Sequence, residues 1–446
     1  MTPLWITRLL AIVIVLGEWT GLARGVFGVP IYAGVLDIAL VAITSVVVIN
    51  LLRRRDFPRI TLLTVLIAGY MLLAAVEILN PNVPSLRAGL EGYRKTAFTM
   101  LAFFVVTYSG DVDAGRFFRL VAIGSVPAFL WATRQFIAPL PAELNIVASS
   151  GISPVTFHSG QLLRAFSPTA GPFHLGILGG AIMIVGIVLA VSRGRAWLLV
   201  AACAGLALGL SLTRANIVGA IAGCAVIAIT ATPFRARLRT AAYAAVPLGV
   251  AAIAVLFAVG ILSLSPPSTA TNGAPGSSPG PSTTTLGGLV SGVENPLQDK
   301  NLQFRFAYWE SYAASIVQRP LIGYGTSSAA DGFDHFYQGT GSLNFEPHSV
   351  YFKAALELGL GGLLLFLAIL GSVAWSIFRA WSFDPQTSRT VLGILTLVAV
   401  AGITGPMLDA YPVNLLFWAS CGWIAVKARQ SVEAGRPGAA QPSVAG

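Results

Sequence analysis

The fold class this sequence predicts is an all-α integral membrane protein, with about twelve transmembrane helices and one large external loop. Hydrophobic residues fill 55% of the 446 positions and charged residues only 10%, a balance that no ordinary water-soluble domain of this length sustains. Apolar runs near or above the ~20 residues that cross a hydrocarbon core recur along the whole chain. The alternating ~10-residue pattern of a membrane barrel is absent, which leaves a helical bundle.

Taken in order, the runs fall near 4–22, 30–52, 58–80, 93–109, 115–138, 169–191, 196–212, 215–232, 240–262, 348–378, 389–406 and 410–427. The first lacks a small-residue cleavage site and leads into Glu18, Trp19 and Arg24, so it reads as a helix and not a signal peptide. The chain then divides into a first bundle of about nine helices over 1–262, an external loop over 263–347, three closing helices over 348–430, and a flexible tail over 431–446.

Short loops rich in Lys and Arg stay in the cytoplasm. Arg53, Arg54, Arg55 and Arg59, then Arg116 with Arg119, Arg193 with Arg195, Arg235 with Arg237 and Arg239, Arg379 with Arg389, and Lys427 with Arg429 all fall on one side if there are twelve spans. Both termini are then cytoplasmic in a plasma (inner) membrane. The net charge of +10 follows from topology, so no nucleic-acid partner is expected and membrane lipids are.

Cys203, Cys224 and Cys421 sit inside apolar runs with no pairing pattern and read as small buried hydrophobes. No Cys/His cluster, P-loop or dinucleotide fingerprint occurs, so neither a metal nor a nucleotide cofactor is expected. No internal repeat is visible by inspection.

Two external segments exceed the needs of a connector. The first spans roughly 139–168. The second opens with "SPPSTATNGAPGSSPGPSTTTLGG", which cannot build a core, so 263–300 is expected to be flexible. It continues as "NLQFRFAYWESYAASIVQRPLIGYG", where Phe304, Tyr308, Tyr312 and Ile316 predict an amphipathic helix near 303–319, ended before Pro320. Large ordered loops of this kind are usually functional.

The external cations are informative because they run against the positive-inside bias: Arg87, Arg94 with Lys95, Arg164, Arg214, Arg305 and Arg319. Arg214 stands in a tight hairpin between two apolar helices, where a charge is costly unless paired or facing a polar cavity. Singly, each arginine reads as well as a snorkelling side chain. His348 reads as a helix-terminus residue ahead of a Ser349 cap, and the Trp309–Tyr312 stripe as packing or interface anchoring. His158, His174 and His335 have no visible partners in the sequence. The set is harder to dismiss than its members. Guanidinium forks suit phosphate oxygens, and a histidine suits general-base work near neutrality. Together they fit a substrate bearing a diphosphate that reacts with a hydroxyl at the membrane surface.

Three stretches resemble the superfamily of O-antigen ligases and O-antigen polymerases. "LSLTRANIVG" at 210–219 resembles its Ser/Thr-Arg hairpin. "FRFAYWESYAASIVQRPLIGYG" at 304–325 resembles its Arg-containing segment closed by Pro-Leu-x-Gly-x-Gly. "PHSVYFKAALELGLGGLL" at 347–364 resembles its His-Asn-x-Tyr-Leu stretch followed by Glu-x-Gly-Leu, with Ser349 in place of the asparagine. The resemblance implies a metal-independent, inverting glycosyltransferase of GT-C type. Its partners would be a polyprenyl diphosphate-linked glycan donor and a glycan, lipid or wall acceptor. Arg214 and Arg305 would bind the diphosphate and stabilise the leaving group, and His348 would activate the acceptor hydroxyl. Arg164, Arg94, Trp309 and Tyr351 complete the candidate substrate-binding set. The residues do not separate ligase from polymerase. A competing reading, a lipid-linked oligosaccharide flippase or other secondary transporter, expects charges at the membrane midplane or broken helices in related positions of two halves. A non-catalytic scaffold would make Arg214, Arg305 and His348 individually replaceable.

Overall fold

A computed structural model describes residues 3–25, 27–29, 32–55, 60–110, 113–149, 157–159, 162–264, 300–329 and 348–434. The helices are α1 (Pro3–Gly17), α2 (Thr20–Gly25), α3 (Tyr32–Arg54), α4 (Leu62–Val76), α5 (Leu86–Thr96), α6 (Leu101–Tyr108), α7 (Ala114–Gly124), α8 (Val126–Ile137), α9 (Pro141–Ser149), α10 (Pro172–Arg193), α11 (Trp197–Leu210), α12 (Arg214–Ile229), α13 (Phe234–Leu264), α14 (Lys300–Gln318), α15 (Val350–Ala380), α16 (Pro385–Ala401) and α17 (Val413–Ala434). Six stretches among the described residues are long and apolar enough to cross a membrane: Tyr32–Arg54, Leu62–Leu79, Ala114–Ile137, Pro172–Arg193, Phe234–Gly260 and Val350–Ala380. Trp5–Gly17, Trp197–Leu210 and Arg214–Ile229 are shorter apolar helices. Arg59, His335, the interior of the 263–300 stretch and the tail past Ala434 lie outside the described residues.

Helix occurs within each expected apolar run, but several runs are broken where polar groups intervene. The first ends at Gly17, and Glu18 turns inward to accept a 2.5 Å hydrogen bond from Ser125 Oγ. Ser125 marks the break between α7 and α8, also donating to Val121 O at 2.9 Å, and Pro127 follows in the first turn of α8. The run expected at 93–109 starts inside α5 and resumes in α6. One small departure from an all-α fold lies in the 139–168 segment, where β1 (His158–Ser159) pairs antiparallel with β2 (Leu162–Leu163).

The core is built around α10 and α17. Residues Leu175–Ala190 and Val413–Ala428 are buried almost without interruption, including Trp418 and Trp423. Lipid tails give helices no hydrophobic reason to associate, so close backbone approach must supply contact. The α12–α16 pair does this with glycines: a Cβ on Gly219 would lie 2.8 Å from Leu397 O, and one on Gly223 2.8 Å from Gly393 O.

Contacts sort the loops into two ends of the bundle. At one end Arg239 donates to Val191 O and Arg195 to Tyr243 Oη, Gly115 lies beside Arg193 and Gln386, and Lys427 pairs with Asp384 at 3.5 Å. These are the arginine-rich loops. At the other end Leu22 N donates to Pro168 O, Ala165 N to Leu210 O, and Val350 N to Gly402 O. Phe173 packs on Gly405, and Gly17 on Tyr411 and Pro412. The N-termini of α10, α12 and α15 meet here.

The apolar run expected at 348–378 as one uninterrupted helix is bent. Gly359 has φ +69°, which releases the carbonyls of Leu356 and Glu357 from helical pairing. Tyr324 N and Gly325 N donate to them at 2.9 Å each, while Leu360 N donates to Pro320 O at 2.7 Å. The Pro-Leu-Ile-Gly-Tyr-Gly segment after α14 therefore docks on the bend. A consequence is that the rings of Tyr351 and Phe366 lie 6.0 Å apart, where a straight helix would separate the two residues by about 22 Å along its axis.

Candidate functional site at the convergent helix ends

Arg164 follows β2, and its backbone N–H donates to Phe157 O at 2.8 Å. Its side chain reaches into the 211–213 hairpin, donating from Nε to Ser211 O at 2.9 Å and from Nη2 to Thr213 Oγ1 at 2.7 Å. Thr213 precedes Arg214, the first residue of α12, whose side chain is exposed. Burial, then repulsion from the Arg214 charge, lowers Arg164 from 12.5 to about 10. It stays charged at neutral pH. Two guanidiniums are thus held within electrostatic reach of one another beside the N-termini of α10 and α12, where backbone N–H groups add partial positive charge.

The loop carrying Arg164 is anchored from below. Gln135 Oε1 accepts Phe166 N at 3.0 Å, and Trp131 Nε1 donates to Ser167 Oγ at 3.0 Å and Glu143 Oε1 at 3.1 Å. Arg134 grips both oxygens of Glu143 at 2.8 Å. Burial pushes the Glu143 carboxyl up, but the bonds from Arg134, Leu140 N, Ser167 and Trp131 outweigh it and hold it low.

Arg305 and His348 form the second group. α14 packs alongside the first half of α15, with Trp309 stacked on Phe352 at 5.6 Å and Tyr312 and Ile316 buried against Ala355 and Leu356. Arg305 Nη1 donates to Thr404 O at 3.0 Å. His348 has φ +47°, a conformation that residues other than glycine rarely hold. Ser349 follows as the N-cap of α15, accepting Phe352 N at 3.5 Å. Burial, and then the Arg305 charge, holds the His348 imidazole down at about 4, so it is neutral at pH 7 with a lone pair available.

The two groups meet through the turn after α16. Its Gly402 O accepts from Val350 N, its Thr404 O from Arg305, and Gly405 packs against Phe173, the second residue of α10. Phe173 O and Pro172 O in turn accept from Asn216 and Thr213 at the start of α12, at 2.9 and 3.4 Å.

The other sequence candidates fall elsewhere. Arg94 is ion-paired with Asp37 of α3. Tyr351 donates its hydroxyl to Ala399 O at 2.9 Å, and Trp309 holds α14 to α15. Arg87 pairs with Glu91 at 3.9 Å on an exposed helix face, and Arg319 lies over the Tyr324 ring at 5.1 Å. His174 is on α10, its Nδ1 buried without a hydrogen-bond partner.

Sequence reasoning missed Lys353, Asp409 and Glu357. Lys353 Nζ donates to Asp409 Oδ2 at 2.5 Å, and buried Glu357 accepts Ser327 N at 3.2 Å and Thr96 Oγ1 at 3.5 Å. Lys353 and Glu357 carried a signal, charges one turn apart in an apolar run. Asp409 gave none, since nothing local ties it to a residue 56 positions away.

No curated protein matches the chain. Residues 178–367 match the family model Wzy_C, described as O-antigen ligase, a stretch that contains Arg214, Arg305 and His348 but not Arg94 or Arg164. That match falls on the same part of the chain as the three stretches that resemble the O-antigen ligases, and it supports a likeness of residues 178–367 to that superfamily.

Proposed function

We propose that this protein is a metal-independent, inverting membrane glycosyltransferase that moves a polyprenyl diphosphate-linked glycan onto a hydroxyl acceptor at the external face of the plasma membrane. It acts as an O-antigen-type ligase or a polysaccharide polymerase, within a GT-C-like bundle of about twelve spans with cytoplasmic termini. The observation that carries this reading is that the Arg164–Arg214 and Arg305–His348 pairs stand at one bundle end, opposite the arginine-rich loops, and are linked through the 402–405 turn. Like charges drawn together at helix N-termini suit an anion, and the diphosphate supplies one.

In this mechanism Arg214 and Arg305 stabilise the charge that develops on the departing polyprenyl diphosphate. His348 takes the proton from the acceptor hydroxyl as that oxygen attacks the anomeric carbon and the bond to the diphosphate oxygen breaks. An imidazole held down at about 4 is a weak base while the Arg305 charge stands beside it. Once a bound diphosphate offsets that charge, His348 becomes more basic, so donor binding prepares the base for the acceptor. Arg164 positions the hairpin and adds to the field.

Purified protein in nanodiscs, given a polyprenyl diphosphate oligosaccharide and an acceptor, is expected to release polyprenyl diphosphate with a new glycosidic bond. The product separates ligase from polymerase. The bend at Gly359 beside the buried Lys353–Asp409 pair is a feature a transporter would share. Vesicles in which wild type moves lipid-linked glycan across the bilayer without glycosidic chemistry would replace this reading with transport.

A further inference from the structure

Lys353 stands one turn into α15 with its side chain 8% exposed, at a place where an ammonium is costly unless paired. Its partner, Asp409, closes the short 407–409 turn. The stretch 402–409 therefore supports both candidate catalytic groups. Gly402 O receives Val350 N, two residues after His348, and Thr404 O receives Arg305. The Lys353–Asp409 pair adds an ionic tie between that stretch and the helix that His348 precedes. Other titratable groups face the pair: Glu357 on α15 and Tyr70 on α4 interact electrostatically with both partners, and His174 on α10 with Asp409. The φ of +47° at His348 makes the demand for such a tie concrete, because a strained residue at a helix entrance relaxes unless its neighbours fix it.

We propose that Lys353, through its ion pair with Asp409, is a positioning residue that sets His348 against Arg305 without itself touching substrate. The inference rests on the glycan-transfer reading. Its chemistry is that of a supporting shell: a reacting group displaced by about 1 Å loses on the order of 100-fold in rate.

The test compares Lys353→Met, Lys353→Arg, Asp409→Asn and the apolar double variant Lys353→Met/Asp409→Leu in nanodiscs. The double variant guards against misfolding, since an apolar pair of similar size avoids a lone buried charge. Release of polyprenyl diphosphate gives kcat and KM. Imidazole NMR, assigned by loss of the His348→Ala signal, gives the titration of His348 independently of turnover. The expected result is that each neutral single variant loses about 100-fold in kcat, with donor KM within about threefold of wild type. The double variant is no worse than either single, Lys353→Arg recovers most of the rate, and the His348 midpoint moves in each neutral single variant. A raised donor KM in Lys353→Met with near-normal Asp409→Asn would make Lys353 a diphosphate ligand and overturn the proposal. Unchanged kcat and an unmoved His348 signal would reduce the pair to a stabilising contact, which also overturns it. If wild type itself releases no polyprenyl diphosphate, the glycan-transfer reading fails, while the His348 signal still reports whether the pair positions that residue.

Discussion

The two ends of this bundle are both rich in arginine, and they use it differently. At the end that carries Arg116, Arg119, Arg195, Arg237 and Arg239, the guanidiniums settle onto carbonyl, hydroxyl or carboxylate oxygens. Arg119 donates to Gly115 O, Arg237 to Ala231 O, Arg195 to Tyr243, and Arg116 lies 3.5 Å from Asp113, its own helix cap. These contacts finish loops and helix termini. At the opposite end the fold brings basic groups together from distant parts of the chain: Arg164 repels Arg214, and the Arg305 charge keeps His348 from taking a proton. With that end on the cytoplasmic side, as we propose, its charge is what the positive-inside rule requires. Charge at the second is arranged against its own electrostatics, which is what a site prepared for an anionic group looks like.

That contrast breaks most easily on a pair of alanine substitutions. Arg305→Ala is expected to lower kcat about 10²–10³-fold, the usual loss for one charge-stabilising donor. Arg193→Ala, at the other end, is expected to change it by less than about twofold. Polyprenyl diphosphate release per folded molecule, with folding checked by size exclusion, measures both. Equal losses would mean that both ends serve the fold alone.

A smaller effect sharpens the comparison through pH. His348 is depressed to about 4 by burial and by Arg305, so the acidic limb of kcat/KM is expected near pH 4, well below the ordinary histidine value of about 6.5. Arg305→Gln removes a charge that opposes protonation, so the His348 midpoint must rise, as an imidazole NMR titration would report. The linkage has a definite sign. Between pH 6.5 and 4 the unfolded chain binds the His348 proton and the folded one does not, so this contribution to stability is present above about 6.5 and lost as pH falls towards 4. Arg305→Gln narrows that window.

Glycine gives the next contrast. Gly359 has a positive φ, and a Cβ there would collide with the Leu321 carbonyl. Gly359→Ala is expected to cost at least the 1–2 kcal/mol of a left-handed residue, seen as a lower unfolding midpoint. Gly115→Ala at the arginine-rich end meets side chains no nearer than 3.4 Å, and should shift stability by less than about 0.5 kcal/mol. A larger loss at Gly115 than at Gly359 would remove the docked bend from the account of the site.

Much of this was legible in the sequence, for reasons that also explain what was not. Apolar runs report helices because burial in lipid and protein needs little more than length and hydrophobicity. Ser349 announced its cap, and Pro320 the end of α14, through local backbone chemistry. The arginine loops announced themselves by composition. The bend at Gly359 did not, because a single glycine inside "LELGLGGLL" is compatible with a continuous helix. It takes the Pro320–Gly325 segment, docking from some 35 residues upstream, to capture the freed carbonyls. Arg164, Arg305 and His348 were visible as residue types that suit a diphosphate and a hydroxyl, but the 402–409 turn that joins their supports consists of ordinary apolar residues apart from Thr404 and Asp409. Its role is a property of packing, and only the folded chain expresses it.

The smallest expected effect tests the contrast at its finest grain, because among the described residues each end has a lysine–aspartate pair. Lys427 lies 3.5 Å from Asp384, and Lys353 lies 2.5 Å from Asp409. Asp384 does not depend on its lysine: it caps α16, accepting Thr387 N and Thr387 Oγ1 at 2.9 Å each. Removing Lys427 therefore leaves a carboxylate still hydrogen-bonded, and Lys427→Ala should cost no more than about 1 kcal/mol, as for a weakly coupled ion pair. Its kcat should stay within about twofold of wild type, because that end lies opposite the candidate site. Thermal unfolding and donor turnover on the same preparation report both quantities. A fall in kcat as deep as that of Lys353→Met would show that the bundle transmits any lost charge pair to the site, and the distinction between a topological end and a chemical end would have to be given up.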